Sequence, residues 1–172
     1  MNILLEGPDG SGKSTLAKSL SSILRMQIVQ GKGPVNPSAA KERFSEHLGL
    51  NNVIFDRHVC VSEMIYGPLF QRQEYDYNAC YAPLYRIPNM IIIYCRAPAS
   101  SLIEHTRSSP TDTDEYLEQL NTHFAQVVQR YDEWALKHAH LVYRRDGFNP
   151  ALVAMINEWS GRQLPSTWRT NV

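Results

Sequence analysis

The chain has 172 residues, a length suited to one domain around a single buried core, and its 17 lysines and arginines balance 17 aspartates and glutamates. Zero formal net charge excludes a general pull toward DNA or an acidic membrane surface, so any nucleic-acid contact has to be local. No apolar run approaches a membrane span, no signal-peptide pattern follows Met1, and Cys60, Cys80 and Cys95 have neither disulfide-framework nor zinc-site spacing, so a cytoplasmic protein with reduced thiols is expected.

Asn2 to Glu6 reads as a buried strand, Ser14 to Leu24 as a helix with Leu16, Leu20 and Ile23 on one face, and Met26 to Val29 as a second strand. The turn-rich GKGPVNP follows. Ser38 then caps a helix to about His47, with Gly49 as its stop, and Asn52 to Phe55 is a third strand. Helical spacing returns from Val59 to about Arg72, with Gly67-Pro68 expected to bend or interrupt it. Met90 to Tyr94 is a continuous apolar run, as in a strand covered on both faces. Thr113 to Lys137 is the longest helical pattern, Leu141 to Tyr143 a fifth strand and Pro150 to Trp159 a last helix, with residues from 163 to 172 as a loose tail. Strands alternating with helices imply an α/β fold, a five-stranded parallel sheet with helices on both faces in one domain.

Between the first strand and first helix lies GPDGSGKST, which fits the phosphate-loop pattern in the context that pattern requires. Its glycines let backbone N–H groups turn inward, and with the following helix N-terminus they form an anion cradle. Gly7, Asp9, Gly10, Ser11, Gly12, Lys13, Ser14 and Thr15 are therefore candidate ATP contacts. Lys13 is expected to reach the terminal phosphates and Ser14 to hold Mg2+. The loop specifies a nucleoside triphosphate but not what receives its phosphoryl group.

Asp56 and Arg57 follow the third strand, at the carboxyl edge of the sheet where ligands of open parallel sheets collect. Asp56 can hold magnesium or accept a proton from an attacking hydroxyl, and Arg57 can make a forked contact with an acceptor phosphate.

GPDGSGKST, FDRHVCVSEMIYGP, PNMIIIYCRAPASSLIEHTR and YLEQLNTHFAQVVQRYDEW, in that order, resemble the landmarks of the thymidylate kinase and deoxynucleoside kinase group. The resemblance covers most of the chain. It implies a three-layer P-loop kinase fold in which Asp9 touches the acceptor sugar, Arg57 its phosphate, and Arg107, in a lid over about 105–113, the transition state. Physically, such a lid supplies a cation to the transferring phosphoryl group while excluding water, with Thr111 as a helix cap behind it. Arg96 is the second choice for that cation and a further ATP contact. Asp146-Gly147 lies where related kinases lay a loop against adenine.

Two departures bear on the acceptor. The segment between second and third strands is short, with QGKGPVNP in place of a TREPGG-type stretch, so Lys32 is the candidate replacement for an acceptor-binding arginine. Gly33-Pro34-Val35 also lacks the carboxylate that deoxynucleoside kinases place in a Glu-Pro-Val segment to take a hydroxyl proton. A monophosphate oxygen is already ionised and needs no such base, which favours a deoxynucleoside monophosphate, thymidylate first. A deoxynucleoside, or a hydroxyl on DNA, stays open if Asp56 serves as base. Tyr66 and Phe70 are the candidate base wall, among Tyr75, Tyr77 and Tyr81 in the same region. The histidines form no set, and Arg144-Arg145 with Arg162 and Arg169 read as solvated clusters. A nucleotide or nucleoside substrate is the expected partner, with no membrane and a homodimer admissible.

Overall fold

Along the strands, apolar side chains alternate between two buried layers, as the two-residue repeat of a strand requires. The computed structural model describes residues 1–31, 42, 45–70, 89–97, 113–145 and 149–160. The elements run β1 (Asn2–Glu6), α1 (Lys13–Leu24), β2 (Gln27–Gln30), β3 (Val53–Asp56), α2 (Val59–Tyr66), β4 (Met90–Arg96), α3 (Asp114–His138), β5 (Leu141–Arg144) and α4 (Pro150–Ser160). Leu4, Val53, Phe55, Ile92 and Tyr94 face α2 and α3, while Ile3, Leu5, Ile54, Ile93, Cys95 and Tyr143 face α1 and α4. Both faces being covered explains why the strands read as continuous apolar runs.

The five strands form one sheet in the order β2-β3-β1-β4-β5, with every neighbouring pair parallel. Leu5 pairs with Asp56, Glu6 with Tyr94 and Arg96 with Arg144, so the carboxyl ends of β1, β3, β4 and β5 lie along one edge. Chain order changes direction on either side of β1, which opens a crevice beyond its end.

Several boundaries differ from expectation, each for a local reason. Strand β3 occupies Val53–Asp56 rather than 52–55, because Asn52 adopts a left-handed φ of 59° that turns the chain into the strand. Helix α2 ends at Tyr66 instead of near Arg72. Gly67 closes its last turn by donating to the Glu63 carbonyl (2.8 Å), and Pro68 has no N–H with which to continue. Strands β4 and β5 run on to Arg96 and Arg144, since Cys95 pairs with Tyr143 and Arg96 with Arg144 whatever their side-chain polarity. The cap of α3 is Thr113, whose side chain accepts the Tyr116 N–H at 3.1 Å. Residues 45–48 are helical before Gly49, as expected. The remainder of the helix from Ser38, Thr111, the lid before Thr113 and the tail lie outside the described residues.

Candidate active site

At the end of β1 the chain enters the loop through three left-handed or extended-positive glycines, with φ of 150° at Gly7, 74° at Gly10 and 85° at Gly12. A methyl on Gly7 would overlap the carbonyl oxygen of Cys95, so glycine is what lets the loop press against β4. Lys13 is buried beneath the loop, where its ammonium donates to the Pro8 carbonyl (2.5 Å) and the Ser11 hydroxyl (3.1 Å). Burial, then the nearby Arg57 charge, push its pKa down to about 8 against the attraction of Asp9. Ser14 and Thr15 stand exposed on the first turn of α1, which has no acidic residue and no side-chain cap. That helix terminus therefore keeps its amide donors for an anion.

Beside the loop, four elements converge on one carboxylate. Arg57 leaves β3 with φ of 69°, its N–H donating to the Leu5 carbonyl (3.0 Å), and this turn aims its side chain at the loop. Its guanidinium donates to Asp9 Oδ1 at 2.6 Å. The hydroxyls of Tyr66 on α2 and Tyr116 on α3 both donate to Asp9 Oδ2, at 2.9 Å and 3.2 Å. Burial alone would raise the Asp9 pKa. The charges of Arg57 and Lys13 and the Tyr66 hydroxyl outweigh it and hold the carboxyl well below the usual carboxylate range. Burial likewise works against the Arg57 charge, and Asp9 more than restores it.

Behind this cluster Glu6 is fully buried. Its Oε1 accepts the His58 backbone N–H (2.6 Å) and its Oε2 the Tyr131 hydroxyl (3.2 Å). Burial pushes its pKa up to about 7, against the opposing pull of the His58 N–H, Arg57 and Lys13. His58 caps α2, with Nδ1 accepting the Cys60 N–H (3.3 Å). That places the ring proton on Nε2, 3.2 Å from Nδ1 of His47. Burial and then His47 push the His58 pKa down to about 3.

Asp56 is buried at the end of β3, level with Leu5, and its backbone carbonyl accepts the Gly31 N–H (2.9 Å). Its carboxylate and the Ser14 hydroxyl are hard oxygen donors, a set that fits magnesium. Among the described residues no three His, Cys, Asp or Glu side chains gather as a metal cluster. Arg96 is turned toward α3, where it pairs with Asp132 Oδ2 (3.2 Å), while Tyr94 holds Asp132 Oδ1 (2.7 Å). Tyr66 and Phe70 are core residues 5.5 Å apart edge to face, and the Tyr66 hydroxyl is what reaches the site. Tyr116, also in contact with Phe70 (5.8 Å), has no place in the sequence reading except as a core position of the long helix. Its direction depends on how α3 docks, which the helical repeat does not encode. Lys32, Arg107 and Asp146, with Tyr75, Tyr77 and Tyr81, lie outside the described residues.

A phosphate loop after β1, the parallel sheet order β2-β3-β1-β4-β5 and an Asp-Arg exit from β3 make an α/β fold that matches those of nucleotide-binding and nucleoside kinase structures. The crystal structure of YorR protein from Bacillus subtilis, in complex with phosphorylated GDP, superposes with TM-score 0.59 at 23% identity, covering 94% of this chain and 92% of that one. Deoxyadenosine kinase from M. mycoides with bound dATP gives TM-score 0.51 at 23% identity, covering 94% and 100%. In sequence, the chain is 37% identical over 73 residues to the SPbeta prophage-derived uncharacterized protein YorR of Bacillus subtilis (strain 168), or 40% of this chain. That match spans only 44% of the curated relative's length. No family model matches.

Proposed function

We propose that the chain is an ATP- and magnesium-dependent kinase that transfers the γ-phosphoryl group to a deoxynucleoside monophosphate, with thymidylate the first acceptor to test. The observation that carries this reading is the Asp9 to Arg57 ion pair beside the loop, because it joins the donor cradle to an arginine suited to a phosphate. The loop amides cradle the donor's α- and β-phosphates and Lys13 reaches its β- and γ-phosphates. Magnesium, held by Ser14 and Asp56, would neutralise charge between those phosphates. Arg57 orients the acceptor phosphate in line, and Asp9 offers an ionised oxygen to a sugar hydroxyl. Arg107 of the lid supplies charge to the transferring group, and Lys32, Arg96 and Asp146 are the outlying contacts of this reading.

A deoxynucleoside as acceptor is the second reading, supported by the likeness to deoxyadenosine kinase, with Asp56 then serving as the base. ATP consumption is to be measured against deoxynucleoside monophosphates, deoxynucleosides, single-stranded oligonucleotides and a water blank. Turnover is expected with the monophosphates and its loss, by three orders of magnitude or so, in Lys13→Ala. Full activity in Lys13→Ala, or consumption in the blank alone, would defeat the reading.

A further inference from the structure

Arg145, which sequence alone groups with a solvated basic pair, packs against Gly12 of the phosphate loop. Its Cδ, Cγ and Cβ sit 3.4, 3.6 and 3.7 Å from where a Cβ on Gly12 would stand, so the methylenes run flat along the loop's last residue. Gly12 is the N-cap of α1, so this side chain packs beside the start of that helix. This placement is built rather than incidental. The buried Asn149 side chain grips both backbone groups of the preceding residue, accepting the Arg144 N–H at 2.8 Å and donating to its carbonyl at 2.9 Å. Asn149 is itself tied to α4, where its carbonyl accepts the Val153 N–H (3.1 Å). Arg144 is fixed from the other side by its pairing with Arg96. The chain thus leaves β5 at a set point beside Gly12.

Lys13 and Arg145 both adjoin the loop, the first buried on Pro8 and Ser11, the second exposed against Gly12. Loop amides of this pattern cradle the α- and β-phosphates, and a guanidinium alongside adds a forked donor for the same oxygens. We infer that Arg145 is a second cationic arm of the loop, binding the α- and β-phosphates of the donor; this rests on the kinase reading above.

Calorimetric binding of ATP, ADP and inorganic tripolyphosphate to wild type, Arg145→Ala, Arg145→Gln and Arg145→Lys, each with a thermal melt, tests it. Alanine and glutamine are expected to weaken all three ligands about ten-fold or more, and lysine less. If alanine unfolds the protein, the glutamine variant carries the comparison. Unchanged tripolyphosphate binding in a folded variant overturns the inference. A loss confined to the nucleotides overturns it as well and assigns Arg145 to the base. A wild type that binds neither ATP nor tripolyphosphate overturns the kinase reading and this inference together.

Discussion

Asp9 carries three donors on one carboxylate, and that count decides what its loss should do. Arg57 is aimed at it by a left-handed turn that a non-glycine residue adopts only when its surroundings compel it. Asp9→Asn keeps the shape but removes the charge, leaving a largely buried guanidinium without its counter-ion. With the Asp9 side chain 27% exposed, solvent screens part of that cost, so a stability loss of about 1–2 kcal/mol is expected in urea denaturation. On the kinase reading proposed above, steady-state kinetics should show the acceptor KM raised about ten-fold or more, with a smaller change for ATP, because Arg57 no longer has a fixed direction. An unchanged acceptor KM would remove Asp9 and Arg57 from acceptor binding. At this scale the loop glycines, Lys13, Asp9 and Arg57 are legible in the sequence, since spacing and strand exit mark them. Tyr116, Glu6 and the His47 to His58 pair are not, because each depends on which elements meet in space.

Helices α2 and α3 meet through the hydroxyls of Tyr66 and Tyr116, both spent on Asp9 Oδ2. Two donors on one oxygen share a partner, so their contributions should not add. Tyr66→Phe and Tyr116→Phe are each expected to cost about 1 kcal/mol, and the double variant to depart from the sum by at least about 0.5 kcal/mol. Denaturant titration of all four proteins measures the cycle; strict additivity would mean the tyrosines hold Asp9 independently. The packing behind them is legible in the sequence as the three- and four-residue spacing of α3, and the strands as apolar runs. The Gly67-Pro68 stop of α2 is legible too, but the other ends are not, because a cap and ladder pairing fix them: Thr113 bonds to Tyr116, and Arg96 joins β4 because Arg144 lies opposite.

For the molecule as a whole, one buried chain of contacts links two groups with opposed titrations. Glu6 is shifted upward, so its contribution to stability is complete below its unfolded value of 4.5 and is lost as pH rises through about 7. His58 is shifted downward, so its contribution is complete above its unfolded value of 6.5 and is lost as pH falls toward about 3. Between pH 4.5 and 6.5 the two slopes oppose each other, and wild-type stability should vary little there. Below about 4.5 the Glu6 contribution is constant, while His58 and then Asp9, whose carboxyl is held low, both withdraw support, so acid unfolding should be steep. Removing either group exposes the other. Glu6→Gln is expected to lose stability continuously as pH falls from 6.5, because the His58 slope is no longer balanced. His58→Asn keeps an acceptor to cap α2 and should instead gain stability as pH falls from 7 to 4.5. Urea midpoints measured across pH 3 to 8 check the signs. Parallel curves for Glu6→Gln and wild type between 4.5 and 7 would show that the buried carboxyl does not titrate against the fold.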